Sequence, residues 1–425
     1  MYAIAIDLGT TTLAASLIDL AAGRRLTMTG RLNPQRCFGA DVVSRLDAAV
    51  NSDETLREMS ELIRAELWRL MCELCETNGT SWNRVQQVAI AGNPAMQHIL
   101  LELPVRSLAF PPYRPLSTGG TTRNAAELGW QGENQVYIFP SPGGFVGGDT
   151  IAFLYGQLEN QVNEKVRKNN PLPSTTTLFL DMGTNGEIAL LAGKTVWATS
   201  AAAGPAFEGG NLSCGMAALP GAISSVSLAD GRIKLATIGN TSPVGICGSA
   251  AIETVTGLLQ HNIIDPGGRL RDSSEISSNL ATRVILHHGE NAFVLHRDAQ
   301  HLLVLTQGDI RQIQLAKGAI RAGMDVLADK ARIRFQTLTE VILTGSFGAV
   351  LQPEWLKTIG IFDEGMVHIT RFTPEGALTG VERAIIAGDG FASVEQLGKR
   401  FRVVPLSGTP LFESLFMQQI NFPKP

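Results

Sequence analysis

Two segments of the chain place an acidic residue directly before a glycine-rich turn that also carries hydroxyl or amide side chains. In the first segment, Asp7 precedes Gly9, Thr10 and Thr11, and in the second, Asp181 precedes a similar turn. That second turn consists of Gly183, Thr184, Asn185 and Gly186. Such turns direct several backbone N–H groups at one point, which suits a phosphate group. The acid beside each turn is suited to hold Mg²⁺ through water or to orient an attacking water.

These turns lie at equivalent points of a repeated pattern of three short strands. The predicted strands are residues 3–7, 13–19 and 26–32 in the first half, and 177–181, 187–192 and 195–199 in the second. One such turn is typical of an ordinary hairpin, but two at equivalent points predict a polyphosphate clamped from both sides. Helical patterns follow both sets of strands, so we expect an α/β protein of two lobes. The predicted domains are 1–160 and 175–425, joined by a polar linker at 161–174.

Further segments carry candidate site residues for which alternatives stay open. Asp149 follows a pair of glycines and either caps a helix or holds a metal-bound water. Glu187 begins the strand after the second turn and either helps to orient the attacking water or faces solvent. Lys317 and Arg321 share one helix face and pair with acids, contact the nucleotide or face solvent.

Two more glycine-containing segments are suited to bind a nucleotide. Gly245 and Gly248 open a predicted helix that would receive the nucleotide. The second segment follows a buried strand and would let adenosine approach its backbone. It consists of Gly345, Ser346, Phe347 and Gly348. A third glycine-containing segment, 388–390, lies inside a pattern that predicts one helix over 381–398.

Composition excludes several classes of protein. The chain has 425 residues, of which 44% are hydrophobic and 17% charged, as expected for an ordered globular protein. A net charge of −4 provides no basic field for nucleic acid, and no apolar run approaches the roughly 20 residues of a membrane span. An odd number of cysteines, five, and an N-terminus without a basic leader predict a reduced, cytoplasmic protein.

The strand–acid–glycine pattern occurs twice, and a Gly-x-x-Gly segment follows a later strand. Together these features resemble the ATPase superfamily of sugar kinases, heat-shock chaperones and actin. That resemblance implies two actin-like, ribonuclease H-like lobes with a nucleotide cleft between them. A closer resemblance extends over nearly the whole chain, to the ATPase part of the reductive activators of corrinoid proteins. The segments that carry it are residues 32–45, 92–98, 181–187, 203–209, 245–249, 314–323 and 345–348.

The resemblance implies an ATPase that couples ATP to reduction of Co(II) to Co(I) in a corrinoid protein of a methyltransferase system. ATP and Mg²⁺ are the implied cofactors. Asp7 and Asp181 would hold Mg²⁺ through water, and Asp7, Asp181, Glu187 and Asp149 would be the catalytic residues. The turns and the segments at 245–248 and 345–348 would bind the nucleotide. A homodimer is implied by resemblance alone.

Family members usually carry a fused ferredoxin domain, and the cysteines here lack a ferredoxin spacing. Cys72 and Cys75 lie on a helical pattern, without two further ligands for a metal. We therefore expect no iron–sulfur cluster in this chain and a separate ferredoxin-like electron donor. Two other functions stay open: a sugar- or polyol-type small-molecule kinase, and an ATP-gated, chaperone-like binding module for corrinoid proteins.

Overall fold

The computed structural model describes residues 1–166, 175–183, 185–229, 231–345 and 350–424. Its strands and helices belong to two compact units. The first unit consists of Met1–Ser174, Gly193–Ala198 and Glu375–Val403, and the second of Thr175–Ala192, Thr199–Pro374 and Val404–Pro425. Both units mix strands and helices, as the sequence pattern predicts. The domain boundaries at 1–160, 161–174 and 175–425 stay a prediction.

The first unit is built on a six-stranded mixed sheet. Its elements up to the predicted linker are β1 (Tyr2–Leu8), β2 (Thr12–Asp19), β3 (Arg24–Leu32), α1 (Val42–Val50), α2 (Asp53–Thr77), β4 (Val85–Gly92), α3 (Pro94–Leu100), α4 (Arg106–Ala109), β5 (Thr121–Asn124), β6 (Gln135–Ile138) and α5 (Gly148–Val166). The strand order is β3-β2-β1-β4-β6-β5, with β1 antiparallel to β2 and parallel to β4. Central β1 is a continuous apolar run from Ala3 to Ile6 because it is buried on both faces.

Helix α2 shows why the sequence pattern predicts the helices well. Ser52 caps it by accepting a hydrogen bond from the Thr55 N–H, and its apolar residues recur at helical spacing on the buried face. The apolar pattern of residues 54–76 predicts a helix, and this span agrees with the observed helix to within one residue at each end. The predicted linker, by contrast, overlaps α5, which continues to Val166; residues 167–174 lie outside the described residues. Among the described helices, none has the length and apolarity needed to cross a membrane.

The rest of the chain adds a second six-stranded sheet and two small sheets. Its elements are β7 (Thr176–Met182), β8 (Gly186–Ala192), β9 (Thr195–Ala201), β10 (Ala222–Ala229), β11 (Arg232–Thr237), β12 (Gly245–Ile246), α6 (Gly248–Gln260), β13 (Val284–His287), β14 (Glu290–Arg297), β15 (Leu302–Thr306), α7 (Gln307–Ala331), β16 (Glu340–Thr344), α8 (Pro353–Thr358), α9 (Glu364–Val367), β17 (Thr370–Phe372), α10 (Gly376–Ile386), α11 (Gly390–Lys399), β18 (Phe401–Val403) and α12 (Pro410–Gln419). The large sheet has the order β17-β16-β7-β8-β9-β18, and the small ones are β11-β10-β12 and β13-β14-β15.

The two large sheets repeat one arrangement of strands. In the second sheet, β7 pairs antiparallel with β8 and parallel with β16. In the first sheet, β1 has the same relation to β2 and β4. The repeated three-strand pattern predicted from the sequence is therefore present in the structure.

The prediction of one helix over 381–398 is wrong. Helix α10 ends at Ile386, Ala387 is extended, and α11 begins at Gly390. A Cβ on Gly390 would lie 1.9 Å from the Ala384 carbonyl oxygen, so the new helix starts against the backbone of the old one. The glycines of 388–390 therefore mark a break between two helices rather than the interior of one.

Candidate functional site

The first acid–glycine turn lies at the carboxyl end of β1, in the first unit. Asp7 is the penultimate residue of β1, and it pairs with Ala14 on β2 and with Ala91 on β4. Residues 9–11 then connect β1 to β2. The carboxylate therefore belongs to a strand paired on both sides, while the turn beside it is outside the sheet. This is the arrangement expected of an acid beside a phosphate-binding turn.

Two asparagines anchor this turn, and neither belongs to the predicted site residues. The Asn33 side-chain amide donates to the Gly9 carbonyl oxygen at 2.9 Å. The Asn93 side-chain amide donates to the Thr10 hydroxyl oxygen at 2.9 Å, and its oxygen caps α3 by accepting from the Met96 N–H. Both asparagines precede a proline in the sequence, and this Asn-Pro pair is a helix-start signal that identifies them.

Asp149 lies in the first turn of α5, one residue after the helix begins, so it is not the helix cap. Its carboxylate accepts a hydrogen bond from the Thr150 N–H at 2.7 Å. Burial nevertheless raises the pKa of Asp149 to about 6, because few water molecules are left to solvate its charge. A carboxyl group with such a pKa can exchange a proton near neutral pH, as required of a group that orients and deprotonates water.

The second acid–glycine turn lies at the carboxyl end of β7, in the second unit. Asp181 is the penultimate residue of β7, and it pairs with Glu187 on β8 and with Thr344 on β16. The Gly183 N–H donates to the Asn185 carbonyl oxygen at 3.1 Å, which closes the turn. Gly186 is the first residue of β8, and Thr184 lies outside the described residues. The structure thus brings Asp181, Glu187 and the second turn together.

A close approach of glycine occurs at the same place in both sheets. Gly92 ends β4, and a Cβ there would lie 2.7 Å from the Leu8 carbonyl oxygen. Gly345 directly follows β16, and a Cβ there would lie 2.6 Å from Asp181 Oδ1 and 2.9 Å from the Met182 carbonyl oxygen. Leu8 and Met182 are each the residue after the acid. The strand that runs parallel to each acid-bearing strand is therefore followed or ended by a glycine that packs too closely on the acid-bearing strand to carry a side chain.

Two side chains outside the predicted set lie near the second turn and Glu187, in the second unit. The Ser200 hydroxyl donates to the Glu187 carboxylate at 3.4 Å. A Cβ on Gly183 would lie 3.4 Å from Glu208 Oε1, so Glu208 is a neighbour of the turn that the predicted site residues omit. The signal that could have identified it is its place in the motif 203–209.

The remaining nucleotide candidates are only partly described. Gly248 begins α6, and a Cβ there would lie 1.9 Å from the Phe207 carbonyl oxygen. Gly245 lies on β12 against Met216. The predicted adenosine residues Ser346, Phe347 and Gly348 lie outside the described residues. The assignment of these groups to the nucleotide stays a prediction.

The donor groups at both turns fit a magnesium ion carried by a nucleotide. Among the described residues, no group of three or more His, Cys, Asp or Glu side chains could hold a metal ion alone. Magnesium, however, is usually held by one or two carboxylates together with phosphate oxygens and water. Asp7 and Asp181 each place one carboxylate beside a glycine-rich turn. These carboxylates fit Mg²⁺ bound through water, with the nucleotide supplying the phosphate oxygens.

Comparisons with known proteins match nearly the whole chain. Residues 175–425 match the family described as the C-terminal domain of RACo, the ASKHA domain, and residues 2–160 match the family described as the RACo middle region. The corrinoid activation enzyme RamQ of Eubacterium limosum is 28% identical, over 99% of this chain and 70% of that protein. A [Co(II) methylated amine-specific corrinoid protein] reductase of Methanosarcina barkeri is 27% identical, over 85% of this chain and 65% of that protein.

A solved structure is also similar over the full length of this chain. It is a reductive activator for corrinoid, iron–sulfur protein, with a TM-score of 0.84 and 28% identity, covering 100% of this chain and 66% of that one. This chain therefore spans about two thirds of the length of these three proteins.

Proposed function

Because this chain belongs to the RACo family, whose ASKHA domain and middle region match nearly all of it, we propose that it is an ATPase that reductively activates a corrinoid protein. The resemblance inferred from the sequence motifs is confirmed, as is the actin-like α/β fold class. The curated relatives are named for corrinoid activation and for reduction of a Co(II) corrinoid protein. Their activity supports the same reaction class here.

The observation that carries this proposal is the repeated acid–glycine turn. Asp7 and Asp181 occupy the same position on the corresponding strand of each large sheet, and each is followed, after one residue, by a glycine-containing turn that connects two strands. One such turn is typical of an ordinary hairpin. Two of them on equivalent strands suit a bound polyphosphate with its metal ion.

In the proposed site, the turns bind phosphate and the acids act on water and metal. Backbone N–H groups of residues 9–11 and 183–186 would contact the phosphate oxygens, and Asn93 would hold the Thr10 hydroxyl in place. Asp7 and Asp181 would hold Mg²⁺ through water, and the ion would offset the phosphate charge. Glu187 and Asp149 would orient the attacking water, and a pKa of about 6 lets Asp149 accept a proton at neutral pH.

The proposed reaction transfers one electron to the corrinoid cobalt, which changes from Co(II) to Co(I), while ATP and water give ADP and phosphate. We propose that the electron comes from a separate ferredoxin-like donor. A partner that binds the Co(I) form ten times more tightly than the Co(II) form raises the reduction potential of the cobalt by about 59 mV, since that is the one-electron equivalent of a tenfold change. ATP would control this difference in affinity. The homodimer and the cytoplasmic location stay predictions.

A hydrolysis assay tests this function. ATP hydrolysis by the wild-type chain is measured with Mg²⁺, with and without the Co(II) form of a candidate corrinoid protein, and the Asp181→Asn variant is measured in parallel. We expect hydrolysis that the corrinoid protein stimulates and that the variant loses. Phosphorylation of a sugar or polyol in the absence of a corrinoid protein would instead show that the chain is a small-molecule kinase.

A further inference from the structure

The second unit contains an open cavity of about 380 Å³ that the proposed function does not use. Its walls are α7, the end of α8 with the residues that follow it, and the end of α12 with the C-terminal segment after it. Lys317 and Arg321 of α7 line it together with Lys357, Gly360 and Phe422. Its volume is within the range of sites that hold small molecules. The cavity therefore has the size of a ligand site and a lining rich in cations.

Lys317 is the unusual residue of this cavity, because it is a cation that is 1% exposed. Its ammonium group donates a hydrogen bond to the Asn421 carbonyl oxygen and lies 5.6 Å from the centroid of the Phe422 ring. Among the described residues, no carboxylate forms an ion pair with it. An ammonium group has three N–H donors, so a single carbonyl leaves donor capacity unused.

Acidic side chains balance the other two cations of the cavity. The Arg321 guanidinium pairs with Asp325 at 3.0 Å and with Asp363 at 2.8 Å. The Lys357 ammonium pairs with two glutamates, each at 3.1 Å. Burial and the neighbouring Arg321 charge lower the pKa of Lys317 to about 8, and no acid opposes them. Lys317 is thus the cation in this cavity that an added anion would stabilise most.

Gly360 packs closely against the Lys317 ammonium group. A Cβ on Gly360 would be 3.4 Å from Lys317 Nζ and 2.8 Å from the Pro423 ring, so a larger residue at this position would press on both. Lys357, one-third exposed, also lines the cavity. The open cavity therefore has one buried lysine without a carboxylate partner among the described residues and one partly exposed lysine that is paired with acids.

We propose that this cavity binds a small oxyanion, a phosphate or carboxylate group, through Lys317 Nζ. Lysine binds such groups as a point charge, and a buried charge without a counter-ion is costly unless a ligand supplies one. The site is separate from both acid–glycine turns in sequence and does not depend on the proposed ATPase activity. A free anion and the anionic group of a larger metabolite share this chemistry.

Thermal unfolding of the full chain tests the proposal with inorganic phosphate, glycerol 3-phosphate and citrate as probes. The variant is Lys317→Met, and the matched control is Lys330→Met, an exposed lysine on the same helix. Thr10→Ala reports any binding of phosphate at the first turn. We expect saturable stabilisation of the wild type, the control and Thr10→Ala, and an apparent affinity at least about tenfold weaker in Lys317→Met. The probe that binds most tightly identifies the anionic group.

A measurement on the wild-type chain keeps the test valid if Lys317→Met does not fold. The pKa of Lys317 is followed by NMR of carbon-13-labelled lysine, assigned with Lys317→Arg, in chloride and in each probe. Tenfold tighter binding to the charged amine would raise that pKa by about one unit. An unchanged pKa in all probes, or equal stabilisation of Lys317→Met and Lys330→Met, would overturn the proposal.

Discussion

Replacing Gly345 by alanine tests how closely the second acid–glycine turn must be packed. Gly345 has a φ of +99°, and its added Cβ would lie 2.6 Å from Asp181 Oδ1. An ordinary contact begins near 3.4 Å, so the carboxylate or the backbone must move by about 0.8 Å. The left-handed backbone alone costs about 1–2 kcal/mol for a residue with a Cβ. The clash adds about 1–3 kcal/mol, as overpacking does in a dense interior.

The functional effect of Gly345→Ala should exceed its effect on stability. A displacement of about 1 Å in a positioned catalytic group can lower the rate about a hundredfold, so we expect a fall of that order in kcat for ATP hydrolysis. Gly289 provides a matched control, because it has a φ of +86° and no atom within 4 Å of its added Cβ. Gly289→Ala should lose stability through backbone strain but retain hydrolysis.

Urea unfolding and steady-state hydrolysis of both variants give the answer. We expect Gly345→Ala to be less stable than Gly289→Ala and to lose ATP hydrolysis at a temperature where both variants are folded. Equal stability of the two variants together with wild-type kcat and KM for Gly345→Ala would refute it.

Two further changes test the first unit. Asn93→Asp keeps the oxygen that caps α3 but loses the amide that donates to Thr10. The free energy of unfolding should therefore change by less than about 0.5 kcal/mol, as measured by urea unfolding. The KM for ATP should rise roughly tenfold or more, as measured by hydrolysis. Loss of solvation raises the folded-state pKa of Asp149 from 3.8 to about 6, so its ionised form destabilises the fold at pH values above about 6, and this cost disappears as the pH falls below about 4. Asp149→Asn should therefore stabilise the chain by on the order of 1–3 kcal/mol at pH 7.5 and by almost nothing at pH 4, while hydrolysis falls. A constant difference in stability across that pH range would contradict the raised pKa of Asp149.

Local sequence patterns predict the strands and the acid–glycine turns correctly because these depend on nearby residues. Asp7 and Asp181 each end an apolar run, and the structure places both on equivalent strands. The same is true of α2, whose cap and apolar spacing lie within one segment. Agreement is weakest where the chain must pack against distant residues.

Long-range packing explains what the patterns did not predict. Gly92 packs closely on Leu8 just as Gly345 does on Met182, but this equivalence follows only from the parallel pairing of distant strands. Within the first unit, α10 packs on α5 so closely that a Cβ on Gly380 would lie 1.7 Å from the Ala152 carbonyl oxygen. No local pattern indicates which helix a glycine will meet. For the same reason the sequence did not predict that α11 begins against the end of α10.

The most direct test of the central claim is anaerobic visible spectroscopy of a Co(II) corrinoid protein with a low-potential electron donor. This chain is added with Mg²⁺ and either ATP or no nucleotide, and the Asp181→Asn variant is added under the same conditions. The account predicts growth of the Co(I) band that requires both the wild-type chain and ATP. Co(I) formation that is the same without ATP, or that persists in Asp181→Asn, would contradict it.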